Sequence, residues 1–246
     1  MNREVGLPEA MRILRWCSAA LLVAGASVGA PAIAQVGASI SIANDARLRG
    51  YSISAERPVG SIALSYDDDS GLYAGVIATG VATAHAGAQL LDVQNYGGFT
   101  RRIGTDLTLD LGLTDSRFTS YSSMTRGGGY TELYAGVIAN HVSSHLRYSP
   151  AYFDRRVSAF YLEVDGVTQP LAGVSVTGHV GLLDEQAGRS LTYPSSTRLD
   201  WRVGTSTSLG RYDVQLAWTG TSAGSRDPWS RPGGRSGWIV SLRRNF

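Results

Sequence analysis

The chain has 246 residues, of which 43% are hydrophobic and only 17% are charged. This apolar fraction is too high for a disordered chain. All 22 basic residues are arginine, and the formal net charge is only +2. Because the arginines are spread along the chain, a nucleic-acid-binding protein is not expected. A helical membrane protein is also excluded, since nothing after residue 34 approaches the roughly 18 consecutive apolar residues that a spanning helix needs.

The N-terminal residues have the composition of an export signal. Arg12 and Arg15 form a basic start, residues 16–28 form an apolar run, and an Ala-Ile-Ala sequence at 32–34 provides a small-x-small cleavage site. These are the three parts of a secretory signal peptide, whereas an anchor helix would need a longer apolar run.

We therefore expect two regions: a cleaved signal peptide at residues 1–34 and one exported domain at residues 35–246. The single cysteine, Cys17, lies in the signal peptide, so the exported domain has no disulfide to stabilise it. A closed hydrogen-bonded sheet would supply that stability in another way.

Apolar and polar side chains alternate with a period of two from residue 36 onward. Between residues 106 and 113, four leucines share one face, whereas Thr108, Asp110 and Gly112 share the other. This pattern predicts β-strands. Turn residues divide it into about twelve strands, near residues 38–54, 59–67, 71–82, 88–102, 105–119, 129–139, 141–148, 156–165, 172–184, 197–208, 211–221 and 236–246.

The connections between these strands alternate in length. Short ones are predicted at residues 69–70, 103–104, 140–141 and 209–210, and longer ones at 83–85, 122–129, 149–154, 183–196 and 222–234. Short turns at one end and long loops at the other are typical of outer-membrane barrels. The fold class predicted is therefore all-β: a transmembrane antiparallel up-and-down β-barrel of about 12 strands. An even strand number would place both chain ends in the periplasm.

Aromatic residues lie near the ends of the predicted strands. Outer-membrane barrels carry two aromatic girdles at the levels of the lipid headgroups. The residues expected in these girdles are Tyr66, Tyr73, Tyr130, Tyr161, Trp201, Tyr212, Trp218 and Trp238.

The energetic cost of charge in lipid predicts which face points inward. An arginine facing lipid at the bilayer midplane costs roughly 2–4 kcal/mol, so the charged faces should line the interior. The predicted pore-lining residues are Asp110, Glu163, His179, Arg198, Asp200, Arg202, Asp213, Gln215 and Arg243. In a soluble β-sandwich the leucines would instead form the core, and period two alone does not separate the two folds.

The end of the chain favours the barrel. Trp238, Val240, Leu242 and Phe246 share one face of the last strand. A C-terminal aromatic residue on an amphipathic last strand resembles the signal by which the barrel-assembly machinery recognises outer-membrane barrels. Arg244 departs from that pattern, although near the membrane interface its guanidinium could reach water.

Several segments together resemble the TorF family of porins, also called the Gcw conserved hypothetical family. They are Arg-Leu-Arg-Gly-Tyr-Ser at 47–52, Ser-Gly-Leu-Tyr-Ala-Gly-Val at 70–76, Thr-Glu-Leu-Tyr-Ala-Gly-Val at 131–137, Arg-Tyr-Ser-Pro-Ala-Tyr-Phe at 147–153, Tyr-Leu-Glu at 161–163 and Val-Ser-Leu-Arg-Arg-Asn-Phe at 240–246. The resemblance implies a proteobacterial outer-membrane barrel that works as a channel. It implies no particular site residues.

Enzymatic and metal chemistry are weakly supported. His141 and Ser143 could be a base and a nucleophile on one strand face, but no Gly-x-Ser-x-Gly elbow accompanies them. His85, His141, His145 and His179 are scattered, and no cysteine remains in the exported domain to complete a metal site. We therefore expect no enzyme activity, no cofactor and no metal.

The function predicted is passive diffusion of small hydrophilic solutes or ions through a polar, mixed-charge lumen in the outer membrane of a Gram-negative cell. The partners expected are outer-membrane lipid, lipopolysaccharide, the barrel-assembly machinery and the solutes themselves. Two alternatives remain open at this point: a non-conducting structural or anchoring barrel, and a soluble secreted β-sandwich that binds a ligand.

Overall fold

The computed structural model describes residues 35–123, 127–187, 196–222 and 236–246. The predicted signal peptide at 1–34 lies outside the described residues, as do most residues of the predicted loops at 183–196 and 222–234. Within the described ranges, no helix is long and apolar enough to cross a membrane.

One closed antiparallel sheet makes up the body of the molecule. Its strands follow the chain around the barrel from β4 to β14, and β1 closes the sheet between β14 and β4. The strand bounds are β1 Gln35–Ala43, β2 Arg47–Leu48, β3 Tyr51–Ser52, β4 Val59–Asp67, β5 Leu72–Thr83, β6 Gly87–Ile103, β7 Leu107–Phe118, β8 Gly128–Ala139, β9 Val142–Ser149, β10 Val157–Leu171, β11 Val174–Ala187, β12 Ser196–Leu209, β13 Tyr212–Thr221 and β14 Ser236–Asn245. Only β2 and β3 stand apart, as a two-stranded hairpin. The predicted 12-stranded barrel is confirmed, and the β-sandwich alternative is wrong because there is a single closed sheet.

Two predicted strand ends were wrong. The first strand was expected to continue to residue 54, but β1 stops at Ala43. Asp45 ends it by accepting hydrogen bonds from Arg47 Nε (2.9 Å) and from the hydroxyls of Ser52 and Ser54 (both 2.7 Å), which folds the chain back on itself. The strand predicted at 156–165 continues to Leu171, because its pairing with β11 resumes after an irregularity beyond residue 168.

The connections sort by length between the two ends of the barrel, as predicted. At one end, here called the short-turn end, the connections are residues 68–71, 104–106, 140–141, 172–173 and 210–211. At the other, the long-loop end, they are 44–58, 84–86, 119–127, 150–156, 188–195 and 222–235. The connection after β5 is an exception, because it was expected among the longer ones and has only three residues.

The strand β1, which closes the barrel, pairs with β14 over a shorter length than with β4. Five residue pairs join β1 to β14, whereas nine join β1 to β4. Asn44 extends the pairing of β1 with β14 through its side-chain amide: Nδ2 donates to the Trp238 carbonyl (2.9 Å), and Oδ1 accepts from the Val240 N–H (2.8 Å). The amide thus occupies the place of a further peptide unit in the ladder.

The two faces of the sheet differ sharply in polarity. On β7, Leu111 is 54% exposed on the outside, whereas the neighbouring Asp110 is 8% exposed on the inside. The same division holds around the barrel, where outward leucines, isoleucines and valines are exposed and inward carboxylates and guanidiniums are buried. An apolar belt of this extent is far larger than the patches that soluble monomers expose.

The aromatic girdle prediction was only partly right. Trp201, Tyr66 and Tyr212 point outward, and Trp218 and Trp238 form an outward cross-strand pair with ring centroids 5.1 Å apart. However, three residues of the predicted girdle lie inside the barrel: Tyr73, Tyr130 and Tyr161. Their position near strand ends did not reveal their face, which depends on register.

Inside the barrel, aromatic rings lie flat against glycines of the neighbouring strand. A side chain at the glycine would overlap the end of the ring, so the glycine makes room for it. The pairs are Tyr96 on Gly75, Tyr73 on Gly98, Tyr134 on Gly112, His145 on Gly136 and Tyr161 on Gly181. The rings therefore become part of the wall instead of projecting across the lumen.

The lipid-facing assignment makes a first testable prediction. We expect Leu111→Arg, which places a guanidinium on the outward face near mid-strand, to destabilise the barrel in phospholipid vesicles by roughly 2–4 kcal/mol. Leu209→Arg, at the short-turn end, is the matched control and should cost about 0–1 kcal/mol. Urea-dependent unfolding followed by tryptophan fluorescence measures both, and equal costs would contradict the assignment.

The ring-on-glycine packing makes a second prediction. We expect Gly112→Ala to lower the free energy of unfolding by about 1–3 kcal/mol, because the new methyl group would overlap the Tyr134 hydroxyl. At Gly178, by contrast, a Cβ would meet open space. Gly178→Ala should therefore leave stability unchanged or raise it by about 0.5–1 kcal/mol. The same urea titration decides, and a harmless Gly112→Ala would show that the ring can move aside.

Candidate functional site

All nine residues predicted to line a pore have their side chains on the interior side of the sheet. Asp110, Glu163, His179, Asp200 and Arg202 border a cavity in the barrel interior, and Gln215 and Arg243 border a second cavity. The remaining two are engaged elsewhere in the interior. Arg198 lies over the ring of Tyr51, and Asp213 accepts from Ser208 Oγ (2.6 Å) and Asn245 Nδ2 (2.8 Å).

The connection after β1 folds into the lumen as a hairpin finger, defined here as residues 47–52. Its strands β2 and β3 pair Arg47 with Ser52 and Leu48 with Tyr51. Arg49 and Gly50 form the two-residue turn, and both have positive φ, 49° and 81°. This is the backbone of a type I′ hairpin turn, in which glycine at the second position carries no steric penalty.

The arginine at the tip of the finger is held by the opposite wall. Arg49 forms a buried ion pair with Glu132 on β8. Its guanidinium carbon also lies 4.1 Å from the ring centroid of Tyr161 and 5.0 Å from that of Tyr152. Burial has the largest single effect and lowers the pKa of Arg49, but Glu132 and the three surrounding tyrosines together outweigh it and hold the pKa well above its ordinary value. The tip is therefore a permanent cation locked between a carboxylate and aromatic rings.

The finger also contacts the wall formed by β12 and β13. Gly50 packs so closely against the backbone of Gly220 that a side chain there would overlap it. Tyr51 lies beneath Arg198, whose guanidinium carbon is 4.9 Å from the ring centroid. Arg198 in turn donates to Glu185 (2.9 Å). The finger thus crosses the lumen from one wall to the other.

An apolar cluster fills the space between the finger and the long-loop end. It combines finger residues with inward residues of the strands and with the connection at 150–156. Its members are Leu48, Tyr51, Ile53, Val59, Val81, Leu91, Phe118, Tyr130, Tyr152, Ala159, Tyr161 and Leu183. Tyr130 and Tyr152 have ring centroids 4.7 Å apart. The hydrophobic core of the molecule therefore lies inside the barrel, around the finger.

Among the described residues, the interior contains two adjoining cavities with volumes of about 200 and 170 Å³. The first lies against β4–β13 and reaches the short-turn end at Asp67, and the second lies against β1, β4–β7 and β12–β14. Five residues border both: Arg47, Leu48, Gln94, Arg202 and Thr219. These shared residues come from the finger and from β6, β12 and β13, and two of them are arginines.

Charged side chains in the first cavity are organised as pairs. Arg147 on β9 donates to Glu163 on β10 (2.8 Å), and its guanidinium lies 4.9 Å from the ring centroid of Tyr134. His145 lies 3.1 Å from Asp110, which also accepts from the Tyr73 hydroxyl (2.5 Å). The wall therefore offers many hydrogen-bonding groups while its opposite charges largely offset one another.

A second histidine is placed between two carboxylates. His179 Nδ1 lies 2.6 Å from Asp165, and its Nε2 lies 3.0 Å from Asp200. Glu163, Asp165 and His179 offer ligand atoms within 4.8 Å of one another, which is the geometry of a metal site. Each of them is already used, however, by Arg147 or by its neighbours in the cluster. The geometry is equally that of a hydrogen-bonded network.

The residues that hold the finger in the lumen were not predicted from the sequence. Arg49, Glu132 and Tyr152 come from different segments and meet only in three dimensions. The Arg-Gly pair at 49–50 is a signal that could have indicated a hairpin turn, but it was read as the end of the first strand. Tyr73, a predicted girdle residue, belongs to the interior network instead.

Similarity searches relate the chain to porin-like barrels. The KdgM porin superposes with a TM-score of 0.53 at 11% identity, over 85% of this chain and 99% of that one. The NanC porin superposes with a TM-score of 0.54 at 9% identity, over 85% of this chain and 99% of that one. An outer-membrane channel from Pseudomonas putida F1 superposes with a TM-score of 0.50 at 13% identity, over 89% of this chain and 97% of that one. At such low identity the likeness is one of fold.

Sequence comparison adds the family. No curated protein matches the chain significantly. A family model described as "Bacterial protein of unknown function (Gcw_chp)" matches residues 27–246. The chain therefore belongs to the Gcw_chp family of bacterial proteins.

Proposed function

We propose that this protein is an outer-membrane channel through which small hydrophilic solutes or ions diffuse passively. One observation carries the proposal: a closed barrel that is apolar outside encloses, beneath an inserted finger, two adjoining cavities bordered by charged and hydrogen-bonding side chains. Passive diffusion requires no cofactor and no covalent intermediate, so the absence of a recognised catalytic motif in the sequence is consistent with it.

The named channels of the same fold support this proposal. The KdgM porin and the Pseudomonas putida channel share the barrel at nearly full length, and the KdgM porin is also described in complex with oligogalacturonate. We include in the same proposal that the chain is a TorF-family porin, TorF being the porin name of the Gcw family. Seven of the nine inward residues predicted from sequence, namely those that border the two cavities, would then line the path.

The cellular placement follows from the same proposal. A signal peptide at 1–34 would direct export, and residues 35–246 would form the barrel. The short-turn end would face the periplasm and the long-loop end the cell surface, where lipopolysaccharide lies. Trp238, Val240 and Leu242 face outward on β14, and Phe246 is exposed directly after it; the barrel-assembly machinery could recognise these residues during insertion.

A non-conducting barrel is the second candidate, and one observation favours it. The finger and the apolar cluster occupy the lumen toward the long-loop end. Barrels of few strands are commonly filled by their own side chains. Such a protein would anchor or organise partners in the membrane without passing solutes.

Conductance separates the two candidates. We expect the refolded protein to produce discrete current steps in a planar bilayer. Arg49→Ala should raise the unit conductance, because it leaves Glu132 buried without its cation and destabilises the inserted finger by about 3–5 kcal/mol. Arg117→Ala removes an outward arginine paired with Asp115 and should leave the current unchanged. Absence of steps from both wild type and Arg49→Ala would contradict the channel proposal.

Ion preference tests the lumen residues. Arg202 and Asp200 lie on the same inward face of β12, two residues apart, and both border the first cavity. Arg202→Ala should shift the reversal potential in a salt gradient toward cation preference, and Asp200→Ala should shift it toward anion preference. Shifts of the same sign, or none in either variant, would place these residues off the conducting path.

A further inference from the structure

Two tyrosines form an aromatic surface on one wall of the first cavity. Tyr73 on β5 pairs across the strands with Gly98 on β6, and Tyr96 on β6 pairs with Gly75 on β5. The phenol end of each ring lies on the opposite glycine. The ring centroids are 6.4 Å apart and the ring planes differ by 40°. This reciprocal arrangement, here called the tyrosine platform, sets both rings along the wall.

The platform differs from the other rings of the cavity. Tyr134 and Tyr161 are 9% and 3% exposed, and guanidiniums of Arg147 and Arg49 lie over them. Tyr73 and Tyr96 are only half-buried, and both border the cavity. A molecule in the cavity would therefore meet these two rings.

Both uncharged and acidic hydrogen-bonding groups lie around the platform, and Asp67 is paired directly across from Tyr73. Gln94, Thr100, Thr108 and Thr114, on β6 and β7, border the same cavity. The carboxylate nearest to the platform is that of Asp110, which accepts from the Tyr73 hydroxyl and lies 3.1 Å from His145. The Arg147–Glu163 pair lies on β9 and β10, and Arg147 is separated from the platform by the ring of Tyr134, whose hydroxyl contacts that of Tyr73.

We propose that the tyrosine platform binds the pyranose ring of a sugar, which names the solute class of the proposed channel and rests on that function. A pyranose presents C–H groups on its face and hydroxyls around its rim. The face packs on an aromatic ring, and the rim exchanges hydrogen bonds with amides, hydroxyls and a carboxylate. An open-chain polyol offers similar hydroxyls but no rigid apolar face. A small ion uses neither feature.

The test compares a sugar with an open-chain polyol of equal carbon number on the refolded protein in a planar bilayer. D-glucose should block the ionic current in a concentration-dependent way, whereas sorbitol should change it only through viscosity. Tyr96→Leu should raise the half-blocking glucose concentration by roughly three- to tenfold. Tyr96→Phe keeps the ring and should behave as wild type. Tyr148→Leu makes the same change on the outward surface and should also leave the block intact.

The outcomes distinguish this inference from the channel proposal. Current steps that respond equally to glucose and sorbitol would overturn the inference and leave the channel standing. A Tyr96→Leu block equal to that of wild type would also overturn it. If neither the wild type nor Arg49→Ala gives current, the channel proposal fails, and saturation-transfer NMR on the protein in micelles still tests the platform. There, glucose should show transfer with wild type and Tyr96→Phe and a weakened signal with Tyr96→Leu; equal signals from all three would overturn the inference.

Discussion

The constraint on which this structure depends is that no peptide group inside a hydrocarbon layer can leave its hydrogen bonds unmade. A sheet meets that constraint only when it has no free edge, and here β1 returns to pair with both β14 and β4. Asn44 lengthens the pairing of β1 with β14 through its side-chain amide. Successive side chains of a strand point to opposite faces, so in a closed sheet every second side chain lies outside. The leucine faces therefore lie outside the barrel and the charged faces lie inside it.

A closed barrel has an interior that is filled either by side chains and loops or by water. In this barrel the finger and the apolar cluster fill the long-loop end, and paired charges and tyrosines surround the cavities beneath them. Arg49 is central to this arrangement, because its guanidinium joins the finger to Glu132 and to the rings of Tyr161 and Tyr152. Four of the segments that carried the family resemblance, at 47–52, 131–137, 147–153 and 161–163, contribute to this one contact region.

Much of the barrel could be predicted from sequence, because strand alternation and turn spacing are local signals. The inward orientation of the face bearing Asp110 followed from the cost of charge in lipid. The finger was missed because residues 47–52 also alternate and so looked like more strand. The inward turn of Tyr130 was missed because strand ends do not reveal register. The pairing of Arg49 with Glu132 spans 83 residues, and contacts of that kind arise only when the closed sheet brings distant strands together.

The central claim is that the leucine face of β7 meets lipid while the opposite face meets the lumen. Cysteine scanning from residue 107 to 114 tests it directly, because the single native cysteine, Cys17, lies in the predicted signal peptide. An environment-sensitive fluorophore attached at Leu109, Leu111 or Leu113 should be quenched by lipid-borne quenchers in vesicles, and one at Asp110 or Thr114 should not. Quenching that lacked this two-residue period, or that followed the opposite face, would contradict the account.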